Sequence, residues 1–298
     1  MPVPVFTHPA SLLHDPGPGH PERPARLRAV IARLGSEPAA RLLEAPEAEL
    51  SALEEVHDPA YLERLRRAAA AGGAVLDEDT TMSADSWDAA LRSAGGAMAA
   101  VRHALREGGG AFSAGRPPGH HALRARAMGF CLLANAVLAA RAGQREGAER
   151  VLIVDWDVHH GNGTQALVES DPSIRFVSLH QWPWWPGTGA ESERGVGNVF
   201  NVPRPPGLPP ERYVEDLWGA IGRATDGWTP GLIVVSAGFD AMRGDPLGGF
   251  TLEPGHYAEL TLRLRQLAPA APLVGVMEGG YIPDRLAEGV AAHVRAMA

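Results

Sequence analysis

Asp155-Trp156-Asp157-Val158-His159-His160 follows directly on the apolar run Val151-Leu152-Ile153-Val154. An apolar run of this length reads as a buried parallel strand. Side chains alternate faces along a strand, so Asp155, Asp157 and His159 leave its end on one side together. Two carboxylates and an imidazole at that spacing suit a divalent ion of the zinc type. The competing reading is a helix N-cap, a role Asp fills well. It accounts for one Asp and leaves the other two ligand-type residues, His160 and the glycines of Gly161-Asn162-Gly163 without a reason.

A second chemical signal is the tandem His120-His121 after Arg116-Pro117-Pro118-Gly119. An imidazole exchanges protons near neutral pH, as acid–base catalysis requires. The same residues would also serve to cap a loop. Further polar clusters are His180-Gln181-Trp182-Pro183-Trp184-Trp185, Ala237-Gly238-Phe239-Asp240 with Gly244-Asp245-Pro246-Leu247, and Glu278-Gly279-Gly280-Tyr281. Each follows a short apolar run.

Those runs are the strand candidates: 3–7, 111–114, 151–155, 175–179, 232–236 and 273–277. Between them lie helix candidates at 24–34, 59–71, 86–106, 129–142, 210–225, 253–267 and 284–297. Pro24 at the start of the first and Gly35 just past its end are typical helix boundaries. Alternating strands and helices predict an α/β protein with a mainly parallel sheet covered on both faces. Ligands of such sheets bind beyond the carboxyl ends of the strands. Five polar clusters therefore converge on one rim. No linker divides the 298 residues, so a single domain over 1–298 is expected.

Composition narrows the function classes. A net charge of −8 offers no basic face for nucleic acid. The single cysteine, Cys131, excludes an internal disulfide and fits a reducing compartment. The N-terminus lacks the pattern of a signal peptide, and no stretch is apolar enough for a membrane span. A cytoplasmic protein is expected. Neither a dinucleotide-binding glycine motif nor a phosphate-binding loop is present.

Taken together, His20-Pro21-Glu22-Arg23-Pro24, Arg116 to His121, Gly129-Phe130-Cys131, Asp155 to Gln165, Ser236 to Asp240, Gly244 to Leu247 and Glu278 to Tyr281 resemble the histone deacetylase-like amidohydrolase family. The resemblance is nearest to its class II branch and to bacterial acetylpolyamine and acetoin-utilisation relatives. It implies a single-domain, three-layer arginase/deacetylase-type fold. It implies a zinc ion, replaceable by Fe(II) or Co(II), on Asp157, His159 and Asp245, and a structural potassium or sodium ion near Asp155, Asp157, His159, Ser178 and Leu179. His121, oriented by Asn162, would be the general base and then the acid. His120 would assist, paired with Asp155, which moves from ligand to supporting partner. Tyr281 would hydrogen-bond the scissile carbonyl. Gly129, Phe130, Trp185, Leu247 and Gly280 would line the substrate tunnel, Arg23 its floor, and Asp79 its rim. Glu278 stands beside the site, but the resemblance gives it no ligand role.

The implied reaction is hydrolysis of an N-acetyl amide of a primary amine, such as acetyl-lysine or a small acetamide. An acetylpolyamine is the alternative substrate. In one polyamine branch an acidic gatekeeper follows the Gly-Asp-Pro triplet, and here that residue is Leu247. A silent acyl-lysine binding module and a binuclear arginase-like hydrolase are rivals from other classes. The complete His120, His121 and Tyr281 set disfavours the first, and the small number of carboxylates disfavours the second. The resemblance leaves an oligomer open.

Overall fold

Every apolar run read as a strand lies in one sheet of eight parallel strands, ordered β2-β1-β5-β10-β9-β6-β7-β8. The computed structural model describes residues 1–298. The strands are β1 Val3–Thr7, β2 Ala40–Glu44, β5 Gly110–Ser113, β6 Val151–Asp155, β7 Ile174–Gln181, β8 Val199–Arg204, β9 Leu232–Ala237 and β10 Leu273–Met277. A separate antiparallel hairpin joins β3 Gly73–Asp77 to β4 Thr80–Ser83. The helices are α1 Pro24–Gly35, α2 Leu50–Glu54, α3 Pro59–Ala70, α4 Ser86–Glu107, α5 Asn135–Arg145, α6 Asn162–Val168, α7 Pro210–Thr225, α8 Pro254–Leu267 and α9 Pro283–Met297.

Alternation along the central strands builds two cores. Val151 and Ile153 of β6 pack with residues of α2 to α5, while Leu152, Val154 and the following Trp156 pack with residues of α1, α7, α8 and α9. β9 divides its side chains in the same way. Each fully buried aliphatic side chain contributes roughly 1.5–3 kcal/mol. Strands buried on both faces therefore need continuous apolar runs, which is why they are visible in the sequence.

Two sequence expectations change. The helix expected over 129–142 begins only at Asn135. Gly129 and Phe130 sit at φ 57° and 68°, in the left-handed region that a helix cannot use. β2 and β8 were not anticipated. They are the two edges of the sheet, and β2 has a partly exposed, mixed sequence rather than an apolar run.

The sheet order has a direct consequence for the site. The five strands whose following segments carry the polar clusters are β5, β10, β9, β6 and β7, and these are consecutive neighbours. All five run parallel, so their carboxyl ends share one edge.

Candidate active site and metal centre

Beyond β6, Asp155 is fully buried and its carboxylate is used twice. Oδ1 accepts the backbone N–H of Asp157 at 3.0 Å, and Oδ2 meets His120 Nδ1 at 3.0 Å. Asp157 Oδ2 accepts the N–H of Gly279 at 2.9 Å, and its Oδ1 lies 3.1 Å from His159 Nδ1. The other side of His159 Nδ1 is met by Asp240 Oδ2 at 3.3 Å. Asp157, His159 and Asp240 thus form one buried group whose donor atoms lie within 4.8 Å of each other.

Asp240 joins Asp157 and His159 in this group, and the predicted ligand Asp245 stands later in the same segment. Asp245 Oδ1 accepts Leu247 N–H at 3.0 Å and its Oδ2 accepts Tyr281 N–H at 2.8 Å, which leaves each oxygen a further lone pair, just as Asp240 Oδ1 accepts Val158 N–H at 2.8 Å. Asp240 lies directly beyond β9, at the sheet edge that carries Asp155 and Asp157 beyond β6. That parallel was available in the sequence, because Gly238-Phe239-Asp240 follows the apolar run at once.

The donor set fits a divalent ion. Asp240 Oδ2 is buried and accepts no hydrogen bond. Burial, and then the Asp157 charge, push its carboxyl up to about 7. Burial alone would lower His159, but its contacts with Asp157 and Asp240 outweigh this and raise it to about 9. In the ion-free protein a proton on His159 balances the two carboxylates. A bound cation would take over that charge and displace the proton. Space is reserved as well: a Cβ on Gly279 would collide with both Asp240 Oδ2 and Asp157 Oδ2.

The adjacent imidazoles are held in different environments. His121 Nδ1 donates to Asn162 Oδ1 at 2.7 Å, which leaves Nε2 as the free acceptor. Burial and the neighbouring His120 and His159 hold its pKa well below the ordinary imidazole value. Burial acts on His120 in the same sense, but the Asp157 and Asp155 carboxylates prevail and raise it well above that value. One ring is kept neutral and the other cationic, with centroids 3.9 Å apart.

A cavity of about 200 Å³ opens above this group, lined by Asp79, His121, Gly129, Phe130, His159, Trp184, Trp185, Leu247 and Tyr281. Trp185 packs edge-on to His121 at 4.7 Å between ring centroids, and Phe130 faces Tyr281 at 5.9 Å. A Cβ on Gly129 would come within 2.5 Å of both His121 and Trp185, so only glycine fits between them. Asp79 Oδ1 accepts the Gly129 N–H at 3.2 Å. Trp184, not singled out in the sequence, lines the cavity and donates Nε1–H to Leu247 O at 3.1 Å. Gly280 is not in the wall. Its φ of 120° shapes the turn before Tyr281, and its carbonyl points away to an arginine.

That arginine is Arg26 and not Arg23. Arg23 is the exposed N-cap residue of α1. Arg26, one turn later, shares the buried stripe with Leu27, Val30 and Leu34. Its Nε donates to Gly280 O at 2.6 Å, its Nη2 to Glu278 O, and its guanidinium lies 4.9 Å from the Tyr281 ring centroid. Glu22 Oε1 joins Arg26 Nη1 at 2.9 Å to Arg116 Nε at 2.5 Å in a fully buried ion cluster. Burial raises the Tyr281 hydroxyl pKa well above its usual value, with the Asp240 charge adding to it, so the phenol keeps its proton. Ser178 stands opposite Asp155 in the β6–β7 register, and its Oγ lies 2.9 Å from His180 Nδ1.

No helix is long and apolar enough to cross a membrane. The histone deacetylase domain family profile matches residues 20–297. The histone deacetylase-like amidohydrolase of Pseudomonas aeruginosa is 40% identical over 276 residues, spanning 88% of this chain and 73% of that protein. The solved HD domain of HDA15 superposes with a TM-score of 0.94 at 35% identity, covering 99% of this chain and 90% of its own. Acetylpolyamine aminohydrolase from Burkholderia pseudomallei superposes with a TM-score of 0.88 at 28% identity, covering 99% and 98%. The fold is the arginase/deacetylase type and the activity class is hydrolytic deacetylation: the chain belongs to the histone deacetylase domain family.

Proposed function

We propose that the protein is a zinc-dependent amidohydrolase that removes the acetyl group from an acetylated primary amine, and that residues 1–298 act as one catalytic domain. The observation that supports this reading is the coincidence of three features. These are the Asp157, His159 and Asp240 group, a neutral His121 with a free Nε2, and a protonated Tyr281, with His121, His159 and Tyr281 all on one aromatic-walled cavity. Asp157, His159 and Asp245 would hold the ion, with Asp240 buried beside His159, and Fe(II) or Co(II) suits the same donors. When bound, such an ion supplies Lewis acidity at the scissile amide.

The protein's own residues carry the proton traffic. His121 Nε2 takes a proton from the attacking water and later delivers it to the leaving amine. Tyr281 donates its O–H to the carbonyl oxygen as negative charge develops there. His120, kept cationic by Asp155 and Asp157, stabilises that charge without exchanging its proton. Phe130 and Trp185 would enclose the alkyl chain of the amine and keep water out. Arg26 secures the Tyr281 turn from below. Asp155, Asp157, His159, Ser178 and Leu179 would also surround a structural potassium or sodium ion.

Leu247 gives the cavity mouth an apolar wall, which suits acetyl-lysine or a small acetamide. The polyamine alternative is supported by the Burkholderia structure and by the Asp79 carboxylate at the cavity. Competing acetyl-lysine peptides, small acetamides and acetylspermidine on the purified protein tests the choice. Acetyl-lysine-like or acetamide substrates should lead by at least a few-fold in kcat/KM. A preference for acetylspermidine over every lysine peptide would overturn it.

A further inference from the structure

The carboxylate of Glu278, immediately after β10, is fully buried and has no role in the chemistry above. A buried carboxylate is costly unless its hydrogen bonds are made. Glu278 Oε2 accepts the backbone N–H of Gly119 at 2.6 Å and that of His120 at 3.2 Å, and Ser236 Oγ lies 3.5 Å from Oε1. Neither N–H bonds to a backbone carbonyl. Both belong to the loop after β5, the sheet neighbour of β10. One side chain thus ties the loop bearing the histidine pair to the strand that ends in the Tyr281 turn.

The surroundings make this tie central. The Glu278 carbonyl accepts from Arg26, the N–H of the next residue donates to Asp157 Oδ2 at 2.9 Å, and the Tyr281 N–H donates to Asp245 Oδ2 at 2.8 Å. The turn is therefore anchored on three sides, and the carboxylate is what extends that anchorage to the histidines. We propose that Glu278 is a positioning residue that sets the placement of His120 and His121 relative to Tyr281, acting as a double acceptor of backbone N–H groups. The proposal rests on the amidohydrolase reading.

Two substitutions separate acceptor geometry from bulk. Glu278→Gln keeps an oxygen for both N–H groups and can turn its amide toward Ser236. Glu278→Met fills similar space and accepts nothing. In the zinc-loaded enzyme Glu278→Met should lower kcat by about 10²-fold with KM little changed, since misplacement of about 1 Å costs that much. Glu278→Gln should stay within a few-fold of wild type. In the metal-free protein the Gly119 and His120 amides should exchange hydrogen at least about ten-fold faster in Glu278→Met and at the wild-type rate in Glu278→Gln. Wild-type kcat in Glu278→Met, or unchanged exchange at those amides, would overturn the proposal. So would a Glu278→Gln enzyme crippled in kcat, which decides the matter even if Glu278→Met does not fold. Amide exchange does not depend on turnover, so a wild type without deacetylase activity would defeat the functional reading while the tie itself was still tested.

Discussion

His121 presents its Nδ1–H to a neutral partner, Asn162 Oδ1, at 2.7 Å. A carboxylate in the same place would favour the imidazolium, as Asp155 does for His120. His121 would then enter the reaction already protonated and unable to accept a proton.

Asn162→Asp should therefore raise the His121 pKa, by about 1–3 units for an opposite charge at this range. Activity is lost as the pH falls through the pKa of the base. A higher pKa moves that acid limb of the kcat/KM profile to higher pH. An unmoved limb in Asn162→Asp would show that His121 is not the base.

Asp240 and Asp245 make a paired test. Asp245→Asn should lose tightly bound metal and turnover together, because it removes a charged ligand, and should also loosen the Tyr281 turn, whose N–H it holds at 2.8 Å. Asp240→Asn should weaken metal binding less, acting through His159, whose Nδ1 lies 3.3 Å from its Oδ2. Elemental analysis of the dialysed variants reads the difference. The opposite pattern would move the ligand role from Asp245 to Asp240.

Tyr281→Phe keeps the ring contact with Phe130 and the Arg26 guanidinium beneath it. It removes only the donor to the developing oxyanion. Turnover should fall on the order of 10²–10³-fold, with metal content unchanged. Steady-state kinetics near the wild-type rate would remove Tyr281 from the mechanism.

The chain shows its centre more plainly than its edges. β6, β9 and β10 are buried on both faces and so are written as continuous apolar runs, and the polar residues that end them mark the rim. β2 carries Arg41 and Glu44 at the sheet edge and has no such signature. The site shows the same limit. Asp240 and Asp245 both lie in the segment after β9, and spacing alone does not tell which carboxylate turns inward. The Tyr281 N–H that Asp245 accepts is a tertiary partner, and so is the contact of Asp240 with His159. Arg26 was hidden for a similar reason: a charged residue on the inward stripe of α1 runs against the usual pattern until Glu22 and Arg116 are seen beside it. The broken start of the expected helix at 129 reflects Gly129 and Phe130, whose left-handed backbone serves the cavity wall.

His57 predicts a pH dependence of stability. Its Nδ1 donates to Leu123 O at 3.1 Å and its Nε2 accepts the Ala134 N–H at 3.0 Å, so the folded ring is neutral. Burial, partly offset by hydrogen bonds to backbone, lowers its pKa from 6.5 to about 4. Below pH 6.5 the unfolded chain binds the proton more readily. The stabilisation is complete above that pH and is lost as the pH falls to about 4, amounting to about 3 kcal/mol. Denaturant titrations of His57→Gln should show a correspondingly smaller loss across this window. A slope equal to that of wild type would contradict the assignment.

The most direct test of the central claim is acetate release from an acetyl-lysine peptide by the purified protein as a function of bound metal. Turnover should rise in proportion to bound metal, saturate at one divalent ion per chain, disappear on chelation and return with Zn(II), Co(II) or Fe(II). Full turnover by verified metal-free protein would contradict the account. So would no acetate from any acetylated amine at one ion per chain.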